Sequence, residues 1–180
     1  EWGAISPAQF IPLAEETGLI HPLTRWLVDE ACTQLTAWRA AGLAVPHVAL
    51  NLSGRSFHQK GFAQSISATL LQHGLCAQDL LLEITESVVM DGRAVTQENI
   101  EQLSQQGFKL SLDDFGTGYS SLSYLHRLPI AELKLDKSFV QDLEHSETAR
   151  ALTISVLSIA KSLHMTVVAE GVETQHQCRW

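Results

Sequence analysis

The amino-acid sequence predicts an α/β fold built on a parallel sheet with flanking helices, and three observations carry that prediction. Short apolar runs alternate with stretches of helical periodicity along the whole chain. The helical stretches close on Gly18, Gly42, Gly74 and Gly107, and glycine ends helices because it adopts a left-handed conformation without steric penalty. The apolar runs are short and nearly continuous, as strands buried on both faces are, and they end in polar residues.

In chain order, Ser6-Pro7-Ala8-Gln9 is a capping-box pattern with proline at the first helical position, so Pro7 to Thr17 reads as a helix whose regularity Pro12 disturbs. Pro22 opens a longer helix in which Leu23, Leu27, Ala31, Leu35 and Trp38 share a face. Val48 to Ser53 is the first strand, Phe62 to His73 the next helix, and Leu80 to Glu86 a second strand whose carboxylates arrive at its end. Thr96 to Gln106 is helical. Phe108 to Leu112 is a third strand, delivering Asp113 and Asp114 into the glycine-punctuated stretch Gly116 to Ser121. Ser121 to Arg127 reads as a short helix before Pro129, and Ile130 to Asp136 as a fourth strand. Thr148 to Leu163 is a helix with Leu152, Val156, Ile159 and Leu163 on one face, and Met165 to Ala169 is a fifth strand running into Glu170. The repeated helix-strand unit, uninterrupted by any flexible linker, makes the sheet parallel.

At 180 residues and 45% hydrophobic content, the chain buries one core and forms one domain. A net charge of −8, from 20 acids against 12 bases, argues against a nucleic-acid polymer as partner. It is compatible with a phosphate substrate, because divalent cations mediate between carboxylates and phosphates. Cys32, Cys76 and Cys178 are odd in number and show no CxxC spacing, the usage of a reducing, cytoplasmic compartment. No apolar run approaches the ~20 residues of a membrane span, and no signal-peptide pattern opens the chain, so this segment is expected to make no direct membrane contact.

Asn51, Glu83, Asp113, Lys134 and Glu170 each lie at or near the C-terminal end of a different strand. In a parallel α/β barrel those ends share one face. One polar residue ending a strand is ordinary; five in succession, of types that bind hard cations or organise phosphate, indicate a site. Adjacent strand residues point to opposite faces, so Asp113 and Asp114 share a site only where the strand ends and the backbone turns. Their repulsion calls for cations between them. Oxygen donors without a histidine pair or cysteine cluster suit Mg²⁺ or Mn²⁺ rather than zinc, with Asp113 placed to bridge two ions. Such a centre, with a lysine beside it, suggests in-line attack of an activated water on a phosphate ester. Two other motif readings are weak. Asp114-Phe115-Gly116 matches a kinase DFG without the HRD-type loop or the glycine-rich ATP loop, and Gly116-Thr117-Gly118 lacks the third glycine of a dinucleotide fingerprint.

Six segments carry a family resemblance: FIPLAEETGLI (Phe10 to Ile20), NLS (Asn51 to Ser53), LLEITES (Leu81 to Ser87), DDFGTGYSSL (Asp113 to Leu122), LKLDKSFV (Leu133 to Val140) and AEGVET (Ala169 to Thr174). In this order, and spanning essentially the whole chain, they resemble the EAL domain family of cyclic di-GMP phosphodiesterases. The resemblance implies a TIM-like (β/α) barrel, a two-metal Mg²⁺ or Mn²⁺ site, and hydrolysis of one phosphodiester of cyclic di-GMP to linear pGpG. It implies that Asn51, Glu83 and Asp113 hold one metal while Asp113 and Asp114 reach the second. Lys134 would bind or orient the attacking water, and Glu170 would serve as metal ligand or general base. Glu86 would anchor the DDFGTGYSSL loop and Glu173 support the same region; further substrate-binding residues stay unassigned.

The family's Glu-Ala-Leu signature, whose glutamate is a metal ligand, would lie just before Glu1. The first barrel strands and the C-terminal segment with a glutamine of the site are likewise missing from the sequence. A full barrel typically takes ~250 residues, and only about five strands can be counted here. The expectation is therefore a partial EAL domain over residues 1–180, weak or inactive alone, whose open edges favour homo-oligomers or an open barrel. A second function class is a catalytically degenerate EAL module that binds cyclic di-GMP or a protein partner as a receptor. The intact Asp113-Asp114 pair and Lys134 favour the enzyme.

Overall fold

Helix and strand alternate through a computed structural model that describes residues 3–115, 125–126 and 128–179. Helices Pro7–Thr17 and Ile20–Ala40 precede β1 (Val48–Asn51). The helical turn Gly54–Phe57 and helix Phe62–Gln72 lead to β2 (Leu80–Thr85), and the turn Glu86–Val89 and helix Ala94–Gln105 lead to β3 (Lys109–Phe115). After β4 (Glu132–Leu135) come helices Lys137–Gln141 and Glu147–Ser162, β5 (Thr166–Ala169) and helix Gln175–Arg179. The strands pair in the order β1-β2-β3-β4-β5, every neighbour parallel. Parallel neighbours need a crossover, and the helices between β1 and β2, β2 and β3, and β4 and β5 supply it.

Period-two alternation divides the central strands into two faces. Leu82, Ile84, Leu110, Leu112 and Leu133, each at most 1% exposed, pack with Cys32, Leu35, Ile66, Leu70, Ile100 and Leu103 from the helices. Burying such a side chain contributes about 1.5–3 kcal/mol. Glu83, Ser111, Asp113, Glu132 and Lys134 occupy the alternate positions, and Ser111 Oγ donates to Glu132 Oε1 at 2.9 Å. Stability is thus concentrated on the helix side, and polar chemistry on the other.

Two helix faces differ in part from the predicted stripes: Leu27, Ala31, Leu35, Val156 and Leu163 pack in or against the core as expected, but positions beside them are buried too. In Ile20–Ala40 the buried residues are Ile20, Thr24, Val28, Cys32 and Leu35, one position round from Leu23, Leu27 and Ala31, and Trp38 is exposed. Thr24 is drawn inward because its hydroxyl shares a 2.9 Å hydrogen bond with buried Ser56. The helix also begins before Pro22, which sits in the first turn, where its missing N–H has no intrahelical acceptor anyway. In Glu147–Ser162 the small residues Thr153 and Ala160 face inward while Leu152 is exposed. The predicted helix Ser121 to Arg127 lies outside the described residues except at 125 and 126. Among the described residues no helix is long and apolar enough to cross a membrane.

Candidate active site

Sheet register gathers the strand-end residues. Asn51 pairs with Glu83 across β1 and β2, and Thr85 pairs with Asp113 across β2 and β3. Between β3 and β4, Leu112 pairs with Leu133, and pairing resumes at Phe115 with Leu135. Asp113 and Asp114 therefore oppose the single residue Lys134. This is a β-bulge, rare between parallel strands. Asp114 holds it with φ 55°, a left-handed conformation that aspartate tolerates better than most side chains. The strand does not stop at Leu112, as the sequence suggests, but continues to Phe115. The bulge, rather than a strand end, lets two consecutive acids flank one lysine.

Lys134 Nζ lies 2.7 Å from Glu170 Oε1, 3.1 Å from Glu83 Oε2 and 3.1 Å from Asp113 Oδ1. The lysine, Glu83 and Asp113 side chains are largely buried, whereas Glu170, 34% exposed, stands at the mouth of the cluster. Burial disfavours the ammonium, but the bonds to Glu170, Glu83 and Asp113 outweigh it and hold Lys134 protonated well above the usual lysine range. The Asp114 carboxyl is pushed up by burial and by the charges of Asp113, Asp136 and Glu170, with Lys134 opposing. Asp113 Oδ1 also accepts from the Asp114 backbone N–H at 3.0 Å.

Glu170 follows β5 and is fixed through its backbone, whose N–H donates to the Leu135 carbonyl at 3.1 Å. At Gly171, φ is 67° and a Cβ would come within 2.7 Å of Lys137 Cβ. Only glycine meets both conditions, and it seats the AEGVET turn against the end of β4. Asn51 is exposed at the end of β1. Glu86 begins the helical turn Glu86–Val89, where the helix dipole favours an acid. Its Oε2 is buried and accepts no hydrogen bond among the described residues. The segment it is expected to anchor, 116–124, lies outside those residues. Glu173 is exposed, its backbone N–H donating to Gln177 Oε1 at 2.8 Å, and its carboxylate joins no ion pair with Lys134.

Asp136 is a residue the sequence reading passes over. It caps helix Lys137–Gln141 by accepting from the Ser138 N–H at 2.9 Å, and its charge acts on Asp114. Its position two residues beyond Lys134, on the same face by strand alternation, is the signal that could have found it.

The donors around Lys134 are all hard oxygens. Glu83, Asp113, Asp114 and Glu170 together carry more negative charge than one ammonium neutralises, which fits a divalent cation of the Mg²⁺ or Mn²⁺ type. Among the described residues no three His, Cys, Asp or Glu side chains close on a common point as ligands; the carboxylates converge on Lys134 Nζ instead.

A model of the EAL domain matches residues 1–180. The chain belongs to the EAL domain family. This EAL chain is 45% identical over 175 residues to the bifunctional diguanylate cyclase/cyclic di-GMP phosphodiesterase MucR of Pseudomonas aeruginosa, covering 97% of this chain and 26% of that protein. It is 42% identical to the oxygen sensor protein DosP of Escherichia coli, over 97% of this chain and 22% of DosP. It therefore spans only a minor part of those relatives. Among solved structures, the MucR phosphodiesterase in complex with c-di-GMP matches with a TM-score of 0.91 at 44% identity, over 99% of this chain and 72% of that one. The EAL domain of Mycobacterium smegmatis DcpA matches with a TM-score of 0.80 at 34% identity, over 95% and 74%. The five parallel strands and their helices are part of the TIM-like barrel of these neighbours.

Proposed function

We propose that the chain is the core of a metal-dependent phosphodiesterase that hydrolyses one phosphodiester of cyclic di-GMP to linear pGpG, within a barrel to which the rest of its parent protein contributes. The observation that carries this reading is the Lys134 ammonium bonded to Glu83, Asp113 and Glu170, with Asp114 set beside it by a bulge. The c-di-GMP bound in the MucR structure supports the substrate.

In this reading Asn51, Glu83 and Asp113 would hold one Mg²⁺ or Mn²⁺, and Asp113 and Asp114 would reach the second. The bound cations would supply Lewis acidity to the phosphate and to the attacking water. Lys134, kept protonated by its three carboxylates, would bind or orient the attacking water once a carboxylate turned to a cation freed one of its three N–H groups. Glu170, the most accessible of its partners, would serve either as a cation ligand or as the base that takes the water's proton. Glu86, whose buried Oε2 accepts no hydrogen bond among the described residues, anchors the DDFGTGYSSL motif in this reading. Glu173 supports the same motif.

Turnover of cyclic di-GMP by the full-length protein, with Mg²⁺ or Mn²⁺ and chromatography of pGpG, tests the proposal. Wild type should produce pGpG, and Asp113→Ala and Lys134→Ala should lose turnover by at least about a hundred-fold. Equal turnover in both variants would refute the site. Binding without turnover in wild type would favour the receptor.

A further inference from the structure

The motif Phe10 to Ile20 contributes no side chain to the lysine cluster, yet one of its residues is bonded to the chain just beyond Asn51. Glu15 sits in the last turn of helix Pro7–Thr17, where a carboxylate faces the unfavourable end of the helix dipole. Residues that break a local preference often serve something beyond the helix. The partner of Glu15 lies 38 positions away: Ser53 Oγ donates to Glu15 Oε1 at 2.6 Å. Ser53 Oγ also accepts from the Arg55 N–H at 3.2 Å, so its one proton is committed to the carboxylate.

Ser53 is two residues beyond Asn51, and the intervening Leu52 donates its N–H to the Glu83 carbonyl at 3.0 Å. The chain leaving β1 is therefore tied on one side to the strand carrying Glu83 and on the other to Glu15. The turn that follows has little slack. Ser56 is buried against Thr24, and a Cβ at Gly54 would come within 2.7 Å of Val88.

We propose that Glu15 is a positioning residue for Asn51. Through Ser53 it holds the exit of β1 so that the Asn51 amide stays beside Glu83, and it thereby sets the affinity of the site for a divalent cation. This rests on the reading of Asn51 as a cation ligand given above. Glu15 itself touches neither cation nor substrate. Its bond to Ser53 is charge-assisted, and such bonds are stronger and shorter than neutral ones.

The test uses the full-length protein, with free Mn²⁺ counted by electron paramagnetic resonance and thermal midpoints recorded in EDTA. Glu15→Ala and Ser53→Ala should each weaken Mn²⁺ binding about ten-fold, the loss typical of removing a residue that orients a metal ligand. The double variant should be no weaker than either single one, because one bond is being removed twice. Glu15→Gln, whose amide oxygen still accepts from Ser53, should recover most of the affinity. A purely structural role predicts lower midpoints with wild-type Mn²⁺ affinity in the folded protein, and that result overturns the inference. If Asn51→Ala loses Mn²⁺ while Glu15→Ala and Ser53→Ala do not, the inference alone fails. If Asn51→Ala and Asp113→Ala both bind Mn²⁺ like wild type, the cation site fails and the role of Glu15 falls with it.

Discussion

Replacing Lys134 with methionine keeps an unbranched side chain and removes the ammonium that Glu83, Asp113 and Glu170 share at 2.7–3.1 Å. Unit charges 3.1 Å apart attract by roughly 5 kcal/mol at an effective dielectric of about 20, and the variant forfeits three such contacts. Part of that loss is offset because the ammonium no longer has to be desolvated. Breaking a buried ion pair by removing one partner costs about 3–5 kcal/mol net. For a domain of this size each kcal/mol lowers the midpoint by roughly 2–4 °C, so the EAL transition should fall by about 6–20 °C. The assay is calorimetry of the full-length protein in EDTA. Its pH dependence is a second readout. The lysine is the charge that opposes the rise of the Asp114 carboxyl, so without it the folded-state pKa of Asp114 moves further above the unfolded one. Stability held by such groups is present at low pH and lost as pH rises. The deficit relative to wild type should therefore shrink as the pH falls from about 7 toward 5. A variant that melts with wild type near neutral pH, or a deficit that ignores pH, would refute the ionic account of the cluster.

Three further outcomes are expected. Asp114→Gly removes a side chain from a left-handed position and one charge from a crowded set, so stability should rise by roughly 0.5–1 kcal/mol in urea titrations, while cyclic di-GMP hydrolysis falls by about a hundred-fold or more. Gly171→Ala forces a Cβ against Lys137 at φ 67° and should cost about 1–3 kcal/mol by the same titration, with reduced turnover because Glu170 moves with the turn. At Asp79, burial raises the carboxyl pKa, but the hydrogen bonds from Arg39 and the Cys76 N–H and the Arg39 charge together outweigh it and hold it below the ordinary range. A depressed carboxylate stabilises above its unfolded pKa of about 3.9 and loses that contribution as pH falls through the folded value. Asp79→Asn should accordingly flatten the acid limb of the stability profile, and an unchanged limb in acid titrations would count against the Arg39 pair.

Strand positions are legible from composition alone where alternation is clean. In Leu82-Glu83-Ile84 and Leu110-Ser111-Leu112-Asp113, apolar residues mark the helix side and polar ones the other, so the face that carries chemistry can be read directly. The conformation of Asp114 cannot, because its φ is set by how β3 resumes pairing with β4, a property of two strands rather than one. Thr24 enters the core for a similar reason: a distant hydroxyl on Ser56 satisfies it. Hydrophobic periodicity, which sees only one helix at a time, assigns the stripe to the leucines beside it. The link between Glu15 and Ser53 spans two motifs that sequence comparison treats separately.

The bulge in β3 has a consequence for how this strand could have acquired its second acid. With Leu112 facing Leu133 and Phe115 facing Leu135, deleting Asp114 would leave Asp113 opposite Lys134 and Phe115 in its present place. Phe115, buried with Leu112 in the helix-side core, would not need to move. One inserted residue thus doubles the acidic complement of the strand without disturbing the side chains that hold the sheet to its helices. A substitution next to Asp113 could not do so, because the adjacent positions in an unbulged strand belong to the core.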